Sequence, residues 1–137
     1  METGESKKTK RKNFKLETMS SKTGLTQERI KEILMNPKKD KLRNVQKSKL
    51  LNNGALKKYP TLVEAKEVCK SFSQDSKEYE EAFEVWEWYS FLKVSRACTL
   101  SLLVDALEVC PEGSFPETLA VQRIAEQLGF RSREDLD

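Results

Sequence analysis

The stretch "MSSKTGLTQERIKEIL", Met19 to Leu34, reads as the end of one helix, a tight turn and the start of a second helix. Gly24 supplies the positive φ that such a turn needs, at no steric cost. Thr26 is a good N-cap, and Leu25 ahead of it is placed to staple onto Ile30. Ile30, Ile33 and Leu34 then follow at helical spacing. Ser20, four residues before the glycine, is small enough for two helices to cross there, and Met19 and Leu25 bracket the crossing with apolar side chains. These are the packing demands of a helix-turn-helix, and they identify a helix pair before they identify a DNA reader.

Working backward, Phe14, Leu16 and Met19 supply the apolar side of the first helix. Residues 1–13, "METGESKKTKRKN", are polar after Met1 and are predicted to be a disordered arm. Lys7, Lys8, Lys10, Arg11 and Lys12 within it match a nuclear-localisation signal or a phosphate-gripping arm, so a nuclear location is expected. Working forward, Pro37 should end the second helix, with Asn36 pushed away from α geometry. The basic run that follows carries one apolar cluster, Val45, Leu50 and Leu51, which predicts a short helix over 42–51. The breaker Asn52-Asn53-Gly54 then leads into a linker.

The remainder, residues 59–137, reads as an acidic helical domain. Thr61 with Glu64, Asp75 with Glu78, and Ser114 with Glu117 each form a capping-box start. Leu62, Ala65, Cys69 and Phe72 line the first of these helices. The second carries Tyr79, Phe83, Trp86 and Tyr89 on toward Val94. The 97–110 stretch is apolar at most positions, which predicts a central, buried helix closed by Pro111 and Gly113. Leu119, Ile124 and Leu128 continue the last helix, with Pro116 tolerated in its first turn and Gly129 closing it. A short echo of the opening stretch, Ile124 to Leu136, ends before a second helix is complete. It predicts either a frayed end or a shortened form of a longer chain. No run alternates apolar and polar residues as a strand would, so the fold class is all-α: a basic arm, residues 14–58 as a helix-turn-helix-like segment and linker, then a helical bundle.

A formal net charge of +3 hides an asymmetry. Up to Lys58 there are 17 Lys and Arg against 6 Asp and Glu; from Tyr59 on there are 8 against 16. Such a split marks a basic part that meets a polyanion, or two halves that attract each other. There is no histidine, no glycine-rich phosphate loop, no nucleophile elbow and no metal-ligand cluster, so neither catalysis nor a cofactor is expected. The three cysteines, Cys69, Cys98 and Cys110, are irregularly spaced and suit buried free thiols in a reducing compartment. No stretch is long and apolar enough to predict a membrane span.

Over residues 13–39 the chain resembles a homeodomain in degenerate or truncated form. The resemblance rests on the turn Thr23-Gly24-Leu25-Thr26, on Ile30 and on Asn36, with Ile33 and Leu34 in the slots of that family's aromatic pair. The Trp-Phe pair itself is absent, Pro37 interrupts the recognition helix, and the family's first helix would have to precede Met1. What the resemblance implies is DNA as a partner. Lys7 to Lys12, Lys38, Lys39, Lys41 and Arg43 would neutralise phosphates, and Gln27, Arg29, Lys31 and Asn36 would face a groove. A second expectation concerns "EYEEAFEVWEWYSFL", Glu78 to Leu92, whose aromatics cover too much of a helix circumference for one core-facing stripe. Trp86, Trp88 and Phe91 are therefore candidates for binding a protein partner. The expected function is nuclear, transcription-associated DNA binding with an acidic protein-interaction domain. The alternative is a helical protein-interaction module with no nucleic-acid role. Nothing in the pattern sets an oligomeric state.

Overall fold

A computed structural model describes residues 14–39 and 44–130. Among the described residues the fold is all-helical. The helices are α1 (Phe14–Thr23), α2 (Gln27–Met35), α3 (Asn44–Asn52), α4 (Ala55–Lys58), α5 (Leu62–Ser71), α6 (Lys77–Arg96), α7 (Leu100–Val109) and α8 (Phe115–Gln127). The basic arm, Lys41 and Arg43, and the end of the C-terminal echo lie outside the described residues.

The α1–turn–α2 unit forms as its residues dictate. Gly24 sits at φ +80°, its N–H donates to Ser20 O at 2.9 Å, and Ser20 Oγ donates to Leu25 O at 2.6 Å. Thr26 caps α2 by accepting from Arg29 N at 3.1 Å. Leu16, Met19, Ile30 and Ile33 are buried, whereas Phe14 is 73% exposed and contributes nothing to the apolar side predicted for it. The helix-start signals hold at Thr61, which accepts from Glu64 N, and at Ser114, which accepts from Glu117 N. The start of α6 is one residue later than predicted. Ser73 Oγ accepts from Asp75 N and closes a turn there, and Ser76 becomes the N-cap by accepting from Tyr79 N. The predicted linker after Gly54 contains a helical turn, α4, held because Ala55 and Tyr59 are buried against α6.

Two hydrophobic clusters hold the bundle together. One joins Leu16, Met19, Ile30 and Ile33 of α1 and α2 to Val94, Leu103, Val121 and Ile124 of the last three helices. The other joins Leu50, Ala55 and Tyr59 to Ala65, Cys69, Val85 and Trp88. Both clusters therefore draw residues from each side of the 58/59 boundary expected from charge, and that boundary does not divide the packing. α6 and α8 run through both clusters: Val94 and Val121 belong to the first, while Trp88 belongs to the second and Phe115 packs on it. The rings of Phe91 and Phe115, 5.9 Å apart, tie α6 to α8.

The central helix is α6, not the apolar stretch predicted at 97–110. α6 packs against α3, α4, α5, α7 and α8. α7 starts only at Leu100, capped by Thr99, and buries a single face formed by Leu103, Ala106 and Leu107. Having neighbours on several sides explains why aromatics surround α6. They serve several interfaces rather than one stripe, and Trp86 and Ser90 both reach the carbonyl at the end of α7, Val109 O, at 2.6 and 3.4 Å.

Candidate functional site

Two features of the surface carry chemistry. The first is the cleft between α2 and α8, about 270 Å³, lined in part by Arg29, Glu32, Asn36, Lys38, Glu117 and Thr118. Arg29 projects from the first turn of α2 onto the first turn of α8. Its Nη2 donates to Glu117 Oε1 at 2.7 Å and its Nη1 donates to Glu32 Oε1. Glu117 is only 6% exposed, and the same oxygen accepts from Gly113 N at 2.9 Å. Partial burial works against the Arg29 charge, but the hydrogen bond to Glu32 and the charge of Glu117 outweigh it, so its pKa lies above the ordinary value. Both Nη atoms of Arg29 are thus engaged by carboxylates of the fold. Glu117→Ala should lower the unfolding free energy by about 1–3 kcal/mol, because the Gly113 N–H and the guanidinium both lose a buried acceptor. Glu117→Gln, which keeps an acceptor, should cost distinctly less in the same urea titration.

Other cations of the basic half follow Arg29. Lys49 Nζ donates to Glu84 Oε2 at 2.6 Å, and Lys58 Nζ donates to Glu81 Oε1 at 3.0 Å, both on α6. The hydrogen bond to its glutamate raises the pKa of each lysine. Lys15 Nζ donates to Gly129 O at 2.9 Å. Of the remaining groove candidates, Gln27 and Lys31 are half-buried on α2, Asn36 is its exposed C-cap, and Lys38 and Lys39 are exposed beyond it. Glu28 and Glu32 share the outer side of α2 with them and would repel phosphate. The backbone N–H of Lys38 donates to Thr118 Oγ1 at 3.3 Å, which fastens the segment after α2 onto α8.

Of the three aromatics expected to meet a partner, Trp88 is 6% exposed and belongs to the core. Trp86 is half-buried with its indole N–H satisfied by Val109 O, and Phe91 packs on Trp88 and Phe115. Trp88 is thus enclosed by the neighbours of α6, while Trp86 and Phe91 stay half-buried.

The second feature is a groove of about 550 Å³ where α6 ends and α7 begins, lined by Tyr89, Leu92, Lys93, Arg96, Ala97 and Leu102. Leu102 is 47% exposed. Lys93 and Arg96 are exposed and make no ion pair among the described residues. Arg123 closes the end of α6 beside them by donating from Nη1 to Val94 O at 3.1 Å. Sequence reasoning missed this groove. The available signal was Leu102, an apolar residue off the stripe that Leu103, Ala106 and Leu107 bury.

The cysteines do not form a site. Burial pushes the Cys69 thiol up to about 11; burial, aided by the charge of Glu117, pushes Cys110 up to about 12. Cys98, expected to be buried, is exposed because it falls in the connection between α6 and α7. Among the described residues no group of three or more His, Cys, Asp or Glu is placed to hold a metal, and no helix is long and apolar enough to cross a membrane. No family model, curated protein or solved structure matches the chain.

Proposed function

We propose that the protein is a helical protein–protein interaction module without catalytic chemistry. The observation that carries this reading is the destination of its cations. Arg29, Lys49 and Lys58, three of the 17 Lys and Arg of the basic half, each reach a glutamate of α6 or α8, so part of the charge split along the chain is met within the fold. Among the described residues an apolar groove stays open at the α6–α7 junction. Apolar floor with a charged rim is the usual composition of a protein-binding patch.

DNA docking through α1 and α2, with a nuclear role, is the second reading. The turn geometry at Gly24 and the exposure of Asn36, Lys38 and Lys39 favour it. A duplex titration of the full chain at about 150 mM salt separates the two. The module reading expects only weak, sequence-blind binding that Gln27→Ala and Lys31→Ala leave unchanged. Site-selective binding, on the order of 10³-fold or more over random duplex and abolished by those substitutions, would reverse the order of the two readings.

A further inference from the structure

The groove at the α6–α7 junction differs from the ion-paired seams elsewhere in the molecule. Its floor is apolar, built from Tyr89, Leu92, Ala97 and Leu102, and two cations without an ion pair among the described residues stand at its rim. We infer that this groove docks an acidic amphipathic helix of a partner protein, its aliphatic side chains on that floor and its carboxylates against Lys93 and Arg96. The inference rests on the interaction-module reading and names the chemistry of the partner.

Three observations select this occupant. The volume, about 550 Å³, is in the range of ligand-sized clefts, and the apolar floor offers a place for aliphatic side chains. Leu102 leaves a large apolar surface in water beside that floor, and covering it is favourable. The rim is positive in a half of the chain where acids outnumber bases 16 to 8. Lys93 and Arg96 make no ion pair among the described residues, and no carboxylate lines the groove beside them. Their position in the last turn of α6 also offsets the helix dipole, which accounts for their sign but not for the apolar floor beside them.

A second copy is a poor occupant. A two-fold pairing of identical grooves would put both cationic rims in one interface with no carboxylate from either groove to oppose them.

The test uses the full chain and a fluorescein-labelled helical peptide of about 14 residues, with leucines at i, i+3, i+4 and i+7 and Asp or Glu elsewhere. Fluorescence anisotropy should show saturable binding that weakens as salt rises. Leu102→Ser should weaken it about tenfold, and Lys93→Glu combined with Arg96→Glu by about the same factor. A peptide with the same leucines and Gln in place of the acids should bind at least about tenfold less tightly. All three residues are exposed, so an unchanged melting temperature will show that each variant is folded. Absence of saturable binding to the acidic peptide, equal binding of the Gln peptide, or indifference to the substitutions overturns the inference. So does a dimer in sedimentation that Leu102→Ser dissociates, which would assign the groove to a second copy. Failure here leaves the duplex titration unaffected, so the two readings fall separately.

Discussion

Leu16→Ala is expected to lower the unfolding free energy by about 2–5 kcal/mol, while Phe14→Ala, two residues away, should change it by less than about 0.5 kcal/mol. Leu16 is 1% exposed and packs in the cluster that also holds Leu103, Val121 and Ile124. Removing its branched end opens a cavity bounded by helices from both ends of the chain, and the loss combines transfer and cavity costs. Phe14 is 73% exposed on the same helix, so its truncation leaves no cavity. Urea unfolding followed by circular dichroism compares the two directly. A helix that served only to carry charge to a polyanion would show neither effect on the bundle.

The fragment Tyr59–Asp137 should lack a cooperative thermal transition, although it contains every residue of the acidic half. Without α1 and α2, the face formed by Leu103, Val121 and Ile124 loses Leu16, Met19, Ile30 and Ile33. Without α3 and α4, Trp88 and Val85 lose Leu50 and Ala55. Stripping both clusters at once removes several large buried side chains, each worth about 1.5–3 kcal/mol of burial, against a total stability of about 5–15 kcal/mol for a domain. Melting of the fragment with native helix content would restore the boundary at 58/59.

Local chemistry was legible in the chain, and long-range pairing was not. The turn at Gly24, the caps at Thr26, Thr61 and Ser114, and the breaks at Pro37 and Pro111 all depend on residues within four positions of one another. Such signals are read from spacing alone. Ser76 displaced Asp75 as a cap because a second serine, Ser73, closes the turn around the aspartate, a competition that a pattern search does not weigh. The aromatic excess on α6 was visible; Trp88 lies in the core, while Trp86 and Phe91 are half-buried against their neighbours. Circumferential apolarity marks either a free surface or a helix packed on several sides, and only the positions of α3, α4, α5, α7 and α8 decide between them.

The candidate site was less legible still. Arg29 and Glu117 are 88 positions apart, and no spacing rule links them. Viewed alone, Arg29 on the second helix of a helix-turn-helix is a groove reader; set against a buried glutamate, it is a strut between two helices. Three ion pairs, made by Arg29, Lys49 and Lys58, join the two halves of the charge asymmetry within one molecule. Much of the groove at Leu102 is likewise a tertiary product, since it exists where α6 stops and α7 turns away.

Native-state amide hydrogen exchange of the full chain tests most directly whether the basic half is built into the bundle. The slowest amides of α1 and α2, around Met19 and Ile33, should open only with those of α7 and α8, around Leu107 and Val121, with protection agreeing within about tenfold. Exchange of α1 and α2 through a separate, low-energy opening, about a thousandfold or more faster than the last two helices, would show that the N-terminal helices stand apart and would contradict the account.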